Sequence, residues 1–335
     1  MTTAGEDDPD AELAATVPAR PSRFRLAFRL AVTVAGAALL VVLIRGVGID
    51  ELRGVLTPAL PWLPLIAGLE AVRIGCDALA SRLALGPRGR AVPLRTYYVA
   101  QVIAHAVMNV FPAGRSASEA VKATLLTPAL GGAPAAAMGY SNQANILISS
   151  AAFTVLCLLG ALASPEPQLL VIGLVAHSTV LAASGIGMRF AATSSVVAER
   201  TARHWPWLWR RVSRFHDVSR ETPLISPKPI AVMFLGRSVQ TAEYGVIAWA
   251  VGIDVGVLEA LAVQGTNLVA AAVGVFVPGQ LGSAEAVFAA AAAVLGTTVA
   301  RAMSIALLAH AVQLAWVVVG FGALLVFRTR HPTDD

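Results

Sequence analysis

Two short stretches hold the residues with the most chemistry to offer. The first runs Asn109-Val110-Phe111-Pro112-Ala113-Gly114-Arg115-Ser116-Ala117-Ser118-Glu119, and the second runs Val277-Pro278-Gly279-Gln280-Leu281-Gly282-Ser283-Ala284-Glu285. In both, a glutamate follows the proline by seven residues and is itself followed by Ala-Val. Pro112 and Pro278 each end an apolar run, because proline lacks the N–H donor and clashes with the preceding turn. A new helix should begin just before each glutamate. Ser116-x-x-Glu119 has the spacing of a capping box, and Gly282-x-x-Glu285 is its glycine-capped counterpart. Arg115 then sits beside free backbone N–H groups and the positive end of a helix dipole, the combination that binds phosphate. The same residues allow a plainer use, an Arg115–Glu119 pair that closes a hairpin. Glu119 and Glu285 either cap the helices they begin or carry protons. Gly279 and Gly282 leave room for a ligand to approach the backbone.

A second set lies on two longer runs. Glu70, Arg73 and Asp77 fall at i, i+3 and i+7, along one helix face. Arg237, Gln240, Glu243 and Tyr244 form a matching stripe. A charge in the middle of a membrane helix costs about 2.5–3.5 kcal/mol on insertion scales, so these groups need partners or a function. Either they are ion pairs that fix packing or they line a polar path. Asn109, Gln143, Asn145, Gln264 and Asn267 add amides able to satisfy broken backbone or to touch a headgroup. His105, His177 and His310 lie on different runs without ligand spacing and read as packed histidines. Cys76 and Cys157 lie in apolar segments and read as buried thiols. No nucleophile–base pair, phosphate-cradling loop or nucleotide signature is present, so the expectation is a non-enzymatic protein without metal or cofactor.

The elements that must position these residues are transmembrane helices. Hydrophobic residues make up 56% of the chain and charged residues 13%, against roughly 25% charged in soluble domains. The expected fold is all-α and polytopic, with full spans near 26–44, 60–83, 134–163, 168–188, 229–251 and 300–327. The runs 96–111 and 257–277 end at the prolines and are followed by half-helices near 116–127 and 283–295, giving two broken, re-entrant hairpins. Residues 1–22 are polar and Pro/Ala-rich and are expected to be a disordered cytoplasmic tail, leaving 23–330 as a single membrane domain.

Orientation follows the basic residues. Arg20 to Arg29, Arg82 to Arg95, the basic residues of the 189–228 loop, and Arg328 with Arg330 all fall on one side of this arrangement. The other side receives Arg45, Arg53 and Arg301. Both termini should be cytoplasmic. Net charge is +5, but the arginines sit in short loops between apolar runs, which argues against nucleic-acid binding. In the 189–228 loop, Trp205, Trp207 and Trp209 alternate through basic sequence, which favours a segment lying at an anionic headgroup layer. Pro112 and Pro278 are 166 residues apart, as are Glu119 and Glu285, and Ala137-Met138 and Ala302-Met303 are 165 apart. Residues 60–163 and 229–328 therefore read as two copies of one unit. The charge distribution starts the first outside and the second inside, so they are inverted repeats, as in many secondary transporters.

With these motifs in hand, the chain resembles the membrane region of lysylphosphatidylglycerol synthases and their stand-alone, flippase-like relatives. The resemblance spans most of 26–327 and rests on Asn109-x-Phe-Pro112-x-Gly-Arg115-x-x-Ser-Glu119 and Pro278-Gly279-x-x-Gly282-x-x-Glu285. It implies an integral protein of a bacterial-type plasma (inner) membrane that moves, or helps to move, a lipid. The expected substrate is an anionic phospholipid or other envelope lipid, and a lipid-biosynthetic enzyme is a candidate partner. The alternatives are an accessory subunit of a biosynthetic complex and a transporter of a small anionic solute. The chain ends at Asp335 without an aminoacyl-transfer domain, so lysyl transfer is not implied. It has Ser118 before the first glutamate, Gln280 after Pro-Gly and Ala309-His310 in the last span, where the family often has Gly, Gly and Tyr-Arg.

Overall fold

The computed structural model describes residues 23–111, 114–220 and 226–330, and every regular element among them is helical. The N-terminal tail and Pro112 lie outside the described residues. The helices are α1 (Arg23–Val47), α2 (Ile49–Ala59), α3 (Leu63–Ala84), α4 (Gly86–Ala91), α5 (Leu94–Val110), α6 (Gly114–Leu130) and α7 (Gly132–Leu162). They continue with α8 (Gln168–Thr193), α9 (Ser195–His204), α10 (Pro206–Arg220), α11 (Pro227–Ala250), α12 (Val257–Val273), α13 (Ser283–Ala290) and α14 (Val299–Arg330).

Four helical stretches among the described residues are long and apolar enough to cross a bilayer: Ile49–Ala84, Gly132–Leu162, Gln168–Thr193 and Val299–Val326. The sequence pattern predicts six. α11 has the length but carries Arg237, Gln240 and Glu243 in its middle, which lowers its apolar character. The outer surfaces fit a hydrocarbon solvent. Leu169, Ile172, Val175, Val180, Ile186 and Phe190 of α8 are all exposed, as are Leu314, Val318 and Val319 of α14. In water so large an apolar surface would demand a partner; in lipid it needs none.

Two stretches expected to be loops are helices. α2 starts with Asp50 and Glu51 in its first turn, where carboxylates offset the helix dipole. The basic 189–228 loop contains α9 and α10, and α10 docks back on the bundle through a Tyr140–Phe215 edge contact at 5.5 Å.

The packing is matched in pairs. α3 packs on α11; α5 packs on α14 as α12 packs on α7; α5 and α6 pair as α12 and α13 do; α6 packs on α7 as α13 packs on α14. α3 and α11 run antiparallel, since Cys76 faces Gly236 near one end and Trp62 meets Trp249 near the other, ring centroids 4.6 Å apart. The α5–α6 hairpin has both ends in one apolar cluster, with Tyr97 and Leu126 against Leu85, Val92 and Met138. The α12–α13 hairpin has its ends in another, with Leu261, Ala291 and Val294 against Ala161 and Leu170. The tips of the hairpins meet. A Cβ on Gly279 would lie 3.0 Å from the Asn109 carbonyl oxygen.

The two breaks differ in detail. α6 starts at Gly114, so Ser116 lies inside the helix, exposed, and does not cap it. The expected capping box at Ser116 is absent because the helix begins two residues early; Gly114 packs so closely on the Met108 carbonyl that a side chain there would overlap it. At the second break Pro278–Gln280 form a 3₁₀ turn, with Gly279 at φ +60° and Gly282 at φ +79°. Here the expected cap is made: the Gly282 N–H donates to Glu285 Oε2 at 2.8 Å.

Candidate functional site

The polar residues of α3 and α11 converge with the start of α6 on one narrow cleft. Its wall is Arg73 and Asp77 of α3, Arg115 of α6, Ile146 and Ser149 of α7, and Met233, Gly236 and Arg237 of α11. The cleft holds about 10 Å³, room for roughly one water.

Each charge in it has a distinct setting. Arg73 grips Glu70 through Nε at 2.6 Å and Nη2 at 2.5 Å, and reaches Asp77 through Nη1 at 3.2 Å. The i, i+3 and i, i+4 spacings place both acids within reach of one guanidinium. Arg237 donates to Gln240 Oε1 and to Ser150 Oγ, each at 2.8 Å, so its partners are neutral. Among the described residues the Arg115 side chain forms no hydrogen bond or ion pair; Asp77, Arg73, Glu119 and Arg237 are the charges that act on it through space. Three arginines thus face one carboxylate across the cleft, and Glu70 behind Arg73 offsets a second. The excess of positive charge belongs to Arg115 and Arg237.

The Arg115–Glu119 pair that the spacing allows is not formed. Glu119 Oε1 instead accepts from Lys122 Nζ at 2.8 Å, and its Oε2 accepts from Asn142 at 2.9 Å. Lys122 has no exposed surface and spends its other donors on Gln101 Oε1 and Ser81 Oγ, at 2.9 and 3.0 Å. This lysine escapes the sequence reading, although its i, i+3 spacing from Glu119 is the signal that would find it. Glu285 is placed in parallel. It has no exposed surface, caps Gly282 and meets His310 Nδ1 of α14 at 2.8 Å. Both repeat glutamates are therefore held by the long helix that follows them, Glu119 by α7 and Glu285 by α14.

The second break is sealed. Gly282 lies against the Gly36 carbonyl of α1, where any side chain would overlap it, and Gly279 abuts Asn109. Gly279, Gly282 and Glu285 are not part of the cleft wall, and neither are Asn109 and Ser116. Asn109 instead donates to the His105 carbonyl at 2.9 Å, with His105 Nε2 at 3.1 Å. Tyr244 donates to Asn267 Oδ1 at 2.8 Å, and Gln264 donates to Gln240 at 3.1 Å. Pro278 opens the 3₁₀ turn as the helix break requires. The structure thus gathers Arg73, Asp77, Arg115 and Arg237 into one site. It ties Glu70, Asn109, Glu119, Gln240, Tyr244, Gln264, Asn267 and Glu285 into polar contacts around that site. The Asn145 side chain and the Gln143 Oε1, by contrast, have no hydrogen-bond partner among the described residues.

These features lie within residues 26–322, which match the family described as the lysylphosphatidylglycerol synthase TM region. The chain belongs to that family. Membership places it among helical membrane proteins of lipid-related processes, and the match covers both breaks, the α3 and α11 stripes and the cleft. No curated protein and no solved structure matches the chain.

On the face of α11 away from the cleft-lining Met233, Gly236 and Arg237, α11 and α12 leave an apolar groove of about 390 Å³ lined by Ala242, Gly245, Val246, Trp249, Val257 and Ala260. Gly245 admits the close approach of Ala260 across it.

Proposed function

We propose that the protein is a lipid transporter that moves an anionic phospholipid, or another anionic envelope lipid, across the plasma (inner) membrane. The observation that carries the reading is the pairing of Arg115 and Arg237, two cations without a carboxylate partner, in a cleft where the α6 break meets α11. A guanidinium away from water and without an anion is costly, and its flat fork fits two phosphate oxygens. The headgroup phosphate supplies the missing anion, and the exposed apolar surface of the helices lets the acyl chains stay in the bilayer. Membership of a family of lipid-related processes favours a lipid over a small anionic solute.

In this reading α5–α6 and α12–α13 are re-entrant hairpins, entering from opposite sides and meeting at Asn109 and Gly279. The two units are inverted repeats, which the antiparallel α3–α11 pair and the matched packing support. Both termini are cytoplasmic, and the chain works without catalysis, on membrane lipids and, as a second possible partner, a lipid-biosynthetic enzyme. The 10 Å³ cleft corresponds to a closed state, and transport requires the units to part around it.

The test is reconstitution into liposomes carrying fluorescent phosphatidylglycerol, phosphatidylcholine or a polyprenyl phosphate. Faster movement of an anionic lipid than of the zwitterionic one is expected. Silence with all three, from protein whose fold is intact, favours the accessory-subunit reading. Uptake of a soluble phosphate ester instead favours the solute reading.

A further inference from the structure

The cleft leaves one buried acid unused. The antiparallel register of α3 and α11, with Cys76 against Gly236 and Trp62 against Trp249, brings Glu243 opposite Glu70, each 4% exposed. Two ionised carboxylates facing each other out of water repel, and a proton on one of them removes that cost and supplies an O–H for the other to accept. Glu70 is otherwise neutralised by Arg73. Arg73 reaches Glu243 only through space, and among the described residues the buried Oε2 of Glu243 has no hydrogen-bond partner.

We propose that Glu70 and Glu243 form a proton-carrying pair, and that one proton travels with each anionic headgroup that enters the Arg115–Arg237 cleft. This rests on the lipid-transport reading above. The neighbours leave the pair as the natural carrier. From α3 it meets Arg73, with Asp77 on the far side of the same guanidinium; from α5 it meets His105, whose Nε2 is 3.3 Å from Glu70. Arg73 Nη2 lies 3.3 Å from His105 Nδ1, which therefore accepts; a second ring proton would oppose the guanidinium. On α11, Tyr244 donates to Asn267, and Arg237 turns to Gln240 and Ser150. His310 of α14, Glu259 of α12 and Tyr140 of α7 are engaged with Glu285, the Gly256 N–H and the Met188 carbonyl respectively.

The coupling runs through Arg73, which touches Glu70 and also lines the cleft. Loss of the proton adds a negative charge beside Arg73 and cancels the positive excess that holds a phosphate. Proton and anion therefore strengthen each other's binding, and the linkage is reciprocal. A proton with a singly charged phospholipid is electroneutral, so the pH gradient, and not the membrane potential, should drive movement.

Two measurements test this. In proteoliposomes with an imposed pH gradient, a singly charged phospholipid should be enriched in the leaflet away from the acid side, by about tenfold per pH unit at most, with no effect of an imposed potential. Glu243→Gln keeps an N–H to donate to Glu70 and mimics the loaded state. It should still equilibrate lipid while losing the response to pH. Infrared spectra should show, at neutral pH, the C=O stretch of a buried carboxylic acid that is missing in Glu243→Gln. A missing band in the unmodified protein overturns the shared proton whatever the transport result. Lipid movement that ignores the pH gradient, or a Glu243→Gln variant that still follows it, overturns the coupling. If no lipid moves under any condition while the band is present, the lipid-transport reading fails, and the coupling that rests on it falls, with the shared proton intact.

Discussion

Arg115 and Lys122 are two cations on α6 with opposite fates. Lys122 is fully enclosed and has three acceptors, whereas Arg115 has none among the described residues and lines the cleft. Their substitutions should separate cleanly. Arg115→Gln removes a charge-assisted contact of about 1.5–3 kcal/mol to a phosphate, so lipid movement should fall by about 10- to 100-fold with an unchanged melting temperature. Arg115→Lys keeps the charge without the fork and should lose only part of the rate. Lys122→Ala strands Glu119 in the interior and should cost about 3–5 kcal/mol of stability, read as a large drop in melting temperature in detergent. A Lys122→Ala protein that melts like the unmodified one would remove the structural role given to it. The sequence makes Arg115 conspicuous because it stands beside a proline break. Lys122 is hidden, because only the folded bundle brings Ser81 and Gln101 to it from two other helices, and Asn142 to its partner Glu119 from a third.

At the scale of elements, the breaks are legible and their capping is only half so. Proline and glycine dictate where α5 and α12 stop, since both act through the local backbone. Where α6 begins depends on Gly114 meeting Met108, a tertiary contact that no local pattern announces. α2, α9 and α10 are missed for a related reason: they are amphipathic and surface-bound, and a search for long apolar runs passes over them. The joint between α1 and the second break is also invisible in sequence, yet it makes a sharp prediction. Gly282 needs a positive φ and touches the Gly36 carbonyl, so Gly282→Ala should destabilise by more than the roughly 1–2 kcal/mol of the left-handed backbone alone. Gly68 of α3 has open space around its α-carbon, and Gly68→Ala should instead stabilise by about 0.5–1 kcal/mol. Thermal unfolding of the two variants side by side checks both signs.

For the whole molecule, the question is whether the two units are inverted in a real bilayer. The structure places the ends that the basic-residue rule assigns to one side in contact with one another. Arg301 donates to the Gly252 carbonyl at 3.0 Å, and Gly296 lies beside Pro165, whereas Arg82 closes its own loop on the Val92 and Arg90 carbonyls. The contacts among the 165, 252 and 296–301 ends are those the proposed inverted arrangement requires, and its absolute orientation is a separate prediction. The basic residues predict it, because Lys and Arg in short loops are retained on the cytoplasmic side. Cys76 and Cys157 are buried, which leaves a quiet background for single reporters. Pro87, Glu166 and Pro206 are all exposed positions. Cysteine at Pro87 or at Pro206 should resist an impermeant thiol reagent in intact cells and react after permeabilisation, whereas cysteine at Glu166 should react in both. Labelling at all three from outside would break the alternation on which the inverted units depend. Labelling at Pro87 and Pro206 but not at Glu166 would turn the whole protein over: the units would stay inverted, and the proposed cytoplasmic termini would move to the outside.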